Sequence, residues 1–158
     1  MRCGLLSPLV VVFVDQLSKL FVLQLLRPYE TIPLTSFLNC VLVFNKGVSF
    51  GLFAGEGALL RYAFIALALS ISLGLSIWLY FEKRLLFFVA LSLILGGALS
   101  NVVDRIVRRA VVDFIDFYIG SWHWPAFNLA DSAITIGVGL YFFASLRDYY
   151  RNRKLEYK

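Results

Sequence analysis

Charged residues are scarce in this chain: Asp, Glu, Lys and Arg make up 16% of its 158 residues, whereas hydrophobic residues make up 60%. Soluble domains carry about a quarter charged residues, so this composition argues against an ordinary soluble domain and predicts a membrane protein. Histidine and cysteine are also nearly absent. The single His123 argues against a zinc site, a Ser-His-Asp triad and a Cys-His pair. Cys3 and Cys40 are too few for a disulfide framework.

The net charge is +5, but the basic residues lie mainly at the ends of apolar runs. Membrane topology and contact with phospholipid headgroups explain this distribution better than nucleic-acid binding, because no stretch interleaves basic residues with a polar surface. We therefore expect membrane phospholipids, and no nucleic acid, as partners.

Four apolar segments approach the length of about 20 residues that a helix needs to cross the hydrocarbon core. They cover residues 5–26, 62–81, 85–103 and 131–146. Polar residues interrupt the first segment and no A-x-A-like site follows it, so we interpret it as a retained span and not as a cleaved signal peptide. The whole chain, 1–158, is predicted to be one integral membrane domain.

Two larger loops, 27–58 and 104–130, separate these spans. Residues 40–44 are rich in strand formers, which predicts a small β-like cap on the membrane surface. With four spans, both termini lie on one side. That side would carry eight basic residues and the two loops six, a thin bias that favours cytoplasmic termini and external loops.

Asp113 follows the third span and Asp131 opens the fourth, 18 residues later. If those spans are neighbours, both carboxylates meet at one membrane face. Two close carboxylates in a poorly hydrated site share a proton, so one can act as a base while the other acts as an acid. The helix N-terminus beside Asp131 favours Asp131 as the more ionised member.

Simpler interpretations of these residues stay open at this point. Asp131 alone is typical of a helix N-cap, and Asp113 alone of a solvated loop charge. Asp104 beside Arg105 suggests a structural ion pair or a helix terminator. Asp116 is expected to be solvated. Asn101 and Asn128 fit caps or hydrogen bonds to a substrate backbone.

Asp15 lies about ten residues into the first span and shares a helix face with Lys19 at i, i+4. A charge at this depth usually faces protein or a polar cavity. We favour a structural role for Asp15 and Lys19, tying the first span to its neighbours. The alternative is a four-span transporter with Asp15 as its ion site; a non-catalytic assembly protein is a further alternative.

Five segments, in order, resemble the lipoprotein signal peptidase (signal peptidase II) family. They are Asp15-Gln-Leu-Ser-Lys19 for D-Q-x-x-K, residues 44–51 for the N-x-G-A-A-F segment, residues 96–105 for G-G-A-x-G-N-x-x-D-R, residues 111–114 for V-x-D-F, and residues 127–131 for F-N-x-A-D. Each motif alone is modest, but five in order along nearly the whole chain form a specific signal.

The resemblance implies an all-α membrane protein with four transmembrane helices, a small extracytoplasmic β-cradle and a short surface helix. It implies an aspartic endopeptidase of the bacterial inner membrane, with its site at the outer face. Such an enzyme cuts prolipoproteins before a diacylglyceryl-modified cysteine, with Asp113 and Asp131 as the catalytic pair. Lining or supporting positions fall on Asn45, Asn101, Asp104, Arg105 and Asn128. No metal or cofactor is implied, globomycin is the expected inhibitor, and we expect a monomer.

Two positions depart from the family pattern. Val48-Ser49 replaces Ala-Ala, which would alter how the cap loop lies over the substrate. Ser100 stands where glycine is common, which would change close packing of the third span. Neither departure touches the two aspartates.

Overall fold

A computed structural model describes residues 6–47 and 58–156 of the chain. Four helices dominate these residues, and each is long and apolar enough to cross a membrane. They are α1 (Leu6–Leu25), α2 (Ala58–Phe81), α3 (Leu85–Val107) and α4 (Leu129–Glu156). The predicted four membrane-spanning helices are therefore confirmed.

Helix α3 lies at the centre of the bundle, where it packs against α1, α2 and α4. Two adjacent glycines make this possible. A Cβ on Gly96 would lie 2.6 Å from the Pro8 carbonyl oxygen of α1, and one on Gly97 would lie 2.8 Å from Ile134 of α4. Small residues let membrane helices approach closely, so this pair lets both α1 and α4 pack tightly against α3.

A four-stranded antiparallel sheet of order β1-β2-β3-β4 covers one end of the bundle. Its strands are β1 (Thr31–Pro33), β2 (Leu38–Asn45), β3 (Val111–Ile119) and β4 (Trp122–His123). Val22, Leu26, Leu42, Val112 and Phe114 form the core between α1 and this sheet. The sheet thus joins both large loops, and its position against α1 is fixed by apolar packing.

The structure corrects several predicted boundaries. Helix α3 continues through Asp104 and Arg105, which were expected in a loop, because buried partners neutralise Asp104. Strand β3, with the sequence VVDFIDFYI, was not predicted, because residues 104–130 were interpreted as a loop between two spans. Helix α4 extends ten residues past its predicted end at Leu146, since a polar segment can continue a helix beyond the apolar run.

Two predictions concern other parts of the chain. The Val48-Ser49 departure lies outside the described residues. No separate short surface helix occurs within residues 6–47 or 58–156, so the sheet is the only part of the expected cap that these ranges contain.

Candidate active site

Asp113 and Asp131 border the same cavity, which has a volume of about 620 Å³. Asp113 is the third residue of β3, and Asp131 lies in the first turn of α4. Asn45, at the end of β2, lines the cavity beside them. The two aspartates that the sequence places 18 residues apart therefore meet at one site.

The carboxylate of Asp113 is buried, with 2% of the residue exposed. Asn128 Nδ2 donates to its Oδ1 at 2.6 Å, and Asn45 Nδ2 donates to its Oδ2 at 3.0 Å. Burial raises the pKa of Asp113 to about 7, the Asn45 hydrogen bond opposes that rise, and the negative charge of Asp131 adds to it. Asp113 thus holds or releases a proton near neutral pH.

Asp131 is not the N-cap of α4, although a lone Asp before an apolar run suggests one. Asn128 caps the helix, because its Oδ1 accepts the Asp131 backbone N–H at 2.9 Å. The Asp131 carboxylate instead accepts a hydrogen bond from Asn101 Nδ2 at 2.8 Å. Asn128 therefore acts on both aspartates, since the same side chain caps α4 and contacts Asp113.

Behind these aspartates lies a fully buried cluster built on the D-Q-x-x-K segment of α1. Lys19 Nζ lies 2.7 Å from Asp15 Oδ2 and 2.8 Å from Asp104 Oδ2. It also donates to Asn101 Oδ1 at 3.2 Å, and this orients the Asn101 amide with its N–H toward Asp131. The cluster therefore connects to the site through Asn101.

The cluster also holds the backbone next to each aspartate. Asp15 Oδ1 accepts the N–H of Ala130 at 2.8 Å, one residue before Asp131. Asp104 Oδ2 accepts the N–H of Val112 at 3.1 Å, one residue before Asp113. These two contacts join α1 to α4 and α3 to β3, and nothing in the sequence alone indicates them.

The ion pair expected between Asp104 and Arg105 is not formed. Asp104 pairs with Lys19 and with Arg108, the residue that follows the last turn of α3. Arg105 instead donates to the Asn101 carbonyl at 3.2 Å and interacts electrostatically with Asp131 and Asp113. It therefore lies toward the site, whereas Asp104 lies in the supporting cluster.

Ser100 shows how the chain accommodates one departure from the family pattern. Its Oγ donates to Asp15 Oδ2 at 2.6 Å and accepts from Gln16 Nε2 at 2.9 Å. The hydroxyl thus joins the buried cluster at a position where glycine would contribute no side-chain contact. Gln16 also donates to Asp104 Oδ1 at 2.9 Å, so it is a further member of this cluster.

Asp116 was expected to be solvated, and this is wrong. It is 7% exposed, accepts from Asn39 Nδ2 at 2.8 Å, and lies 2.9 Å from His123 Nδ1. It does not line the cavity of Asp113 and Asp131. Its contacts join β2, β3 and β4, which is a structural arrangement.

The cavity walls are mostly apolar and were not identified from the sequence as part of a site. Residues 124–127, which precede α4, form one wall, and the first turns of α4 form another. Beside this cavity, α4 exposes Ile136 and Phe142, which are 61% and 63% exposed. The site therefore lies next to an exposed apolar face of α4, a helix that is long and apolar enough to cross a membrane.

The transporter alternative is not favoured by this geometry. Asp15 is fully buried, and its carboxylate contacts Lys19, Ser100 and the Ala130 backbone. A transported ion needs an accessible ligand, whereas these partners occupy both oxygens of Asp15.

Comparisons with known proteins agree on one family. Residues 8–147 match the signal peptidase (SPase) II family. Lipoprotein signal peptidases of Burkholderia mallei and Burkholderia cenocepacia are 45% and 47% identical, each over 91% of this chain and 90% of the relative. Two solved structures of bacterial membrane enzymes superpose with TM-scores of 0.82 and 0.81, at 32% and 30% identity over 94% of this chain and 90% and 95% of theirs. The chain is therefore a multi-pass membrane peptidase and belongs to the signal peptidase II family.

Proposed function

We propose that this peptidase removes the signal peptide from lipid-modified prolipoproteins, cleaving before the diacylglyceryl-modified cysteine, with Asp113 and Asp131 as its aspartyl pair. One observation carries the proposal: the two aspartates border a single cavity, and three asparagine amides contact their carboxylates. The relatives from Burkholderia are described as lipoprotein signal peptidases, which supports the substrate class.

Asp113 acts as the general acid in this proposal. Its pKa of about 7, raised by burial, keeps a proton available near neutral pH. Asp131 is the ionised partner and acts as the base. It lies in the first turn of α4, where backbone N–H groups stabilise negative charge, and Asn101 donates to it.

The reaction then proceeds in two proton-balanced steps. Asp131 takes a proton from water, the water oxygen bonds to the scissile carbonyl carbon, and Asp113 protonates the carbonyl oxygen. In the second step the C–N bond breaks, the leaving nitrogen takes the proton from Asp131, and Asp113 recovers its proton from the hydroxyl group. Both aspartates return to their starting states, and no covalent enzyme intermediate forms.

The surroundings of the cavity support a substrate with lipid chains. Its walls are apolar, and it lies beside the exposed face of α4, which faces the bilayer. A lipidated cysteine can keep its acyl chains in the hydrocarbon while the peptide enters the cavity from the side. Trp124 and Pro125 line the cavity and would contact the peptide.

We further propose that the sheet and the cavity lie on the outer side of the bacterial cytoplasmic membrane and that both termini are cytoplasmic. The basic residues of the α4 end and of the α2–α3 turn support this orientation, because positive charge favours the cytoplasmic side. The chain is proposed to act as a monomer within phospholipid, and inhibition by globomycin stays a prediction of the family resemblance.

The test is cleavage of a lipidated precursor by the purified protein in detergent, followed as a gel shift. We expect cleavage of the diacylglyceryl-modified precursor and none of the same precursor with an unmodified cysteine. Equal cleavage of both precursors would contradict the proposed substrate class. No cleavage of the lipidated precursor by a folded protein would contradict the proposed function.

A further inference from the structure

A second cavity lies apart from the cavity that Asp113 and Asp131 border. It has a volume of about 370 Å³ and lies between the C-terminal half of α1 and the sheet. We call it the α1 groove, and it is lined by Ser18, Phe21, Val22, Leu25, Ile32, Leu34, Leu38, Asn39, Cys40, Phe114 and Ile115. None of these residues lines the cavity of Asp113 and Asp131, so the two cavities are separate.

The walls of the α1 groove offer almost no polar group to a ligand. Asn39 is engaged by Asp116 at 2.8 Å, and Ser18 Oγ donates to the Asp15 carbonyl at 2.7 Å. The Cys40 thiol is neutral, since burial raises its pKa above the ordinary value. Water in such a groove would lack the two to four polar partners it needs, so the ligand that fits is a hydrocarbon.

The groove opens toward the bilayer. Two of its lining residues on α1, Phe21 and Leu25, are 65% and 53% exposed. They continue the exposed apolar face formed by Leu17 and Leu20 on the same membrane-spanning helix. The groove is therefore continuous with the surface that α1 presents to lipid tails.

We propose that the α1 groove binds one acyl chain of a bilayer phospholipid. Its separation from the cavity of Asp113 and Asp131 argues for a resident lipid of the membrane, and against the acyl chain of a substrate bound for cleavage. A bound chain fills the space between α1 and the sheet, where the core around Val22 and Phe114 joins these elements. The proposal rests on the membrane-spanning fold and does not depend on the peptidase mechanism.

The first experiment uses the unmodified chain in nanodiscs of phosphatidylethanolamine and phosphatidylglycerol. A fraction of the phosphatidylethanolamine carries a diazirine in its acyl chain, and adducts are mapped by mass spectrometry. We expect saturable adducts on the groove residues Phe21, Cys40 and Ile115 that excess unlabelled lipid removes. Adducts of equal yield on exposed Leu73 and Ile77 of α2, with the same response to competitor, would overturn the proposal.

The second experiment fills the groove. In Cys40→Trp the indole occupies the space of the chain, whereas Leu17→Trp places the same side chain on α1 outside the groove. We expect adducts at Phe21 to fall to background in Cys40→Trp and to stay at the unmodified level in Leu17→Trp. Persistence in a folded Cys40→Trp protein would overturn the proposal. If that variant does not fold, Ile32→Trp, on another wall of the groove, replaces it.

A third arm distinguishes the two sources of an acyl chain. A lipidated precursor with a photoactive acyl chain is incubated with the Asp113→Asn protein, which is expected to bind but not cleave it. Adducts near residues 124–136 and none in the α1 groove support a phospholipid occupant. Saturable adducts of the precursor in the α1 groove would overturn it. Loss of all cleavage by the unmodified enzyme, with phospholipid adducts retained, would contradict the proposed function alone.

Discussion

Asp15 and Asp104 lie among cationic side chains, whereas Asp113 and Asp131 lie among side-chain amides. Lys19 bridges the first two carboxylates, and Arg108 pairs with Asp104, so two negative charges meet two positive charges. Asp113 and Asp131 form no direct ion pair with any residue in 6–47 or 58–156, and their closest contacts are asparagine N–H groups. The two groups of carboxylates are adjacent, yet their surroundings differ in charge.

This difference has a physical consequence. A buried carboxylate beside a cation stays ionised, because the pair is stable only when both members are charged. A buried carboxylate that only amides contact is less well stabilised as an anion, so a proton remains available near neutral pH, as the raised pKa of Asp113 indicates. The surroundings of Asp15 and Asp104 therefore suit a structural role, and those of Asp113 and Asp131 suit proton transfer.

The largest expected effect is on turnover when either amide-bound aspartate is changed. Asp113→Asn and Asp131→Asn should each reduce kcat/KM for the lipidated precursor by about 10³-fold or more, because each removes a proton donor or acceptor. Both variants should remain folded, since no ion pair is broken. The exposed Glu30→Gln is the control and should keep full activity. Retained turnover in a folded Asp113→Asn or Asp131→Asn protein would contradict the assignment of proton transfer to the amide-bound aspartates.

The next largest effect is a loss of stability when the buried cluster of Asp15, Lys19 and Asp104 loses its lysine. Lys19→Met leaves Asp15 and Asp104 buried without their shared partner, which should lower the free energy of unfolding by about 3–5 kcal/mol. The thermal midpoint in detergent measures this, with exposed Arg151→Met as the control. Adding Asp15→Asn to Lys19→Met should recover part of the loss. A Lys19→Met protein as stable as the wild type would show that the cluster does not need its charges balanced.

Much of the fold was predictable because a bilayer imposes simple rules. Apolar length alone located four spans, and the positions of Asp113 after the third span and Asp131 at the start of the fourth predicted that both meet at one face. The i, i+4 spacing likewise predicted the contact between Asp15 and Lys19. These inferences depend on local composition or on helical periodicity, which a single sequence displays.

Long-range partners were not predictable. Strand β3 pairs along most of its length with β2, which lies more than 60 residues earlier in the chain. Nothing near Asp104 in the sequence indicates Lys19 as its partner, so the adjacent Arg105 was the obvious but wrong choice. The role of Asn128 as the cap of α4 was equally hidden, because Asp131 is also a good capping residue. Tertiary contacts decide each of these cases.

A smaller effect is expected on the pH dependence of activity when Asp113 loses one of its asparagine contacts. Asn45→Ala removes an N–H donor whose hydrogen bond lowers the pKa of Asp113, so that pKa should rise further above about 7. If Asp113 is the acid, activity falls as pH rises through its pKa, and this fall forms the alkaline limb of the kcat/KM profile. In Asn45→Ala the alkaline limb should therefore move to higher pH. Loss of one charge-assisted hydrogen bond should also reduce kcat/KM by about ten-fold.

Asn39→Ala is the matched control for Asn45→Ala. It removes the same type of donor from the same strand, but Asn39 contacts Asp116 and not Asp113. The alkaline limb should therefore stay at the wild-type position in Asn39→Ala. The same displacement in both variants would mean that the limb reports a general disturbance of β2, and Asp113 would lose its assignment as the acid.

The smallest expected effect is a pH-dependent change in stability at Asp113. Its pKa is raised in the folded protein from an ordinary 3.8 to about 7, so the folded state keeps a proton that the unfolded chain releases. The contribution of Asp113 to wild-type stability is then fully present below the ordinary value and is lost as pH rises through about 7. Asp113→Asn carries no titrating proton there, so its thermal midpoint relative to wild type should rise by a few degrees between about pH 4.5 and about pH 8.

Glu30→Gln, which removes an exposed carboxylate, is the control and should show a smaller change. If the difference between Asp113→Asn and wild type is the same at both pH values, Asp113 is already ionised throughout this range, and the contrast between its amide surroundings and the ion-paired cluster has no effect on protonation.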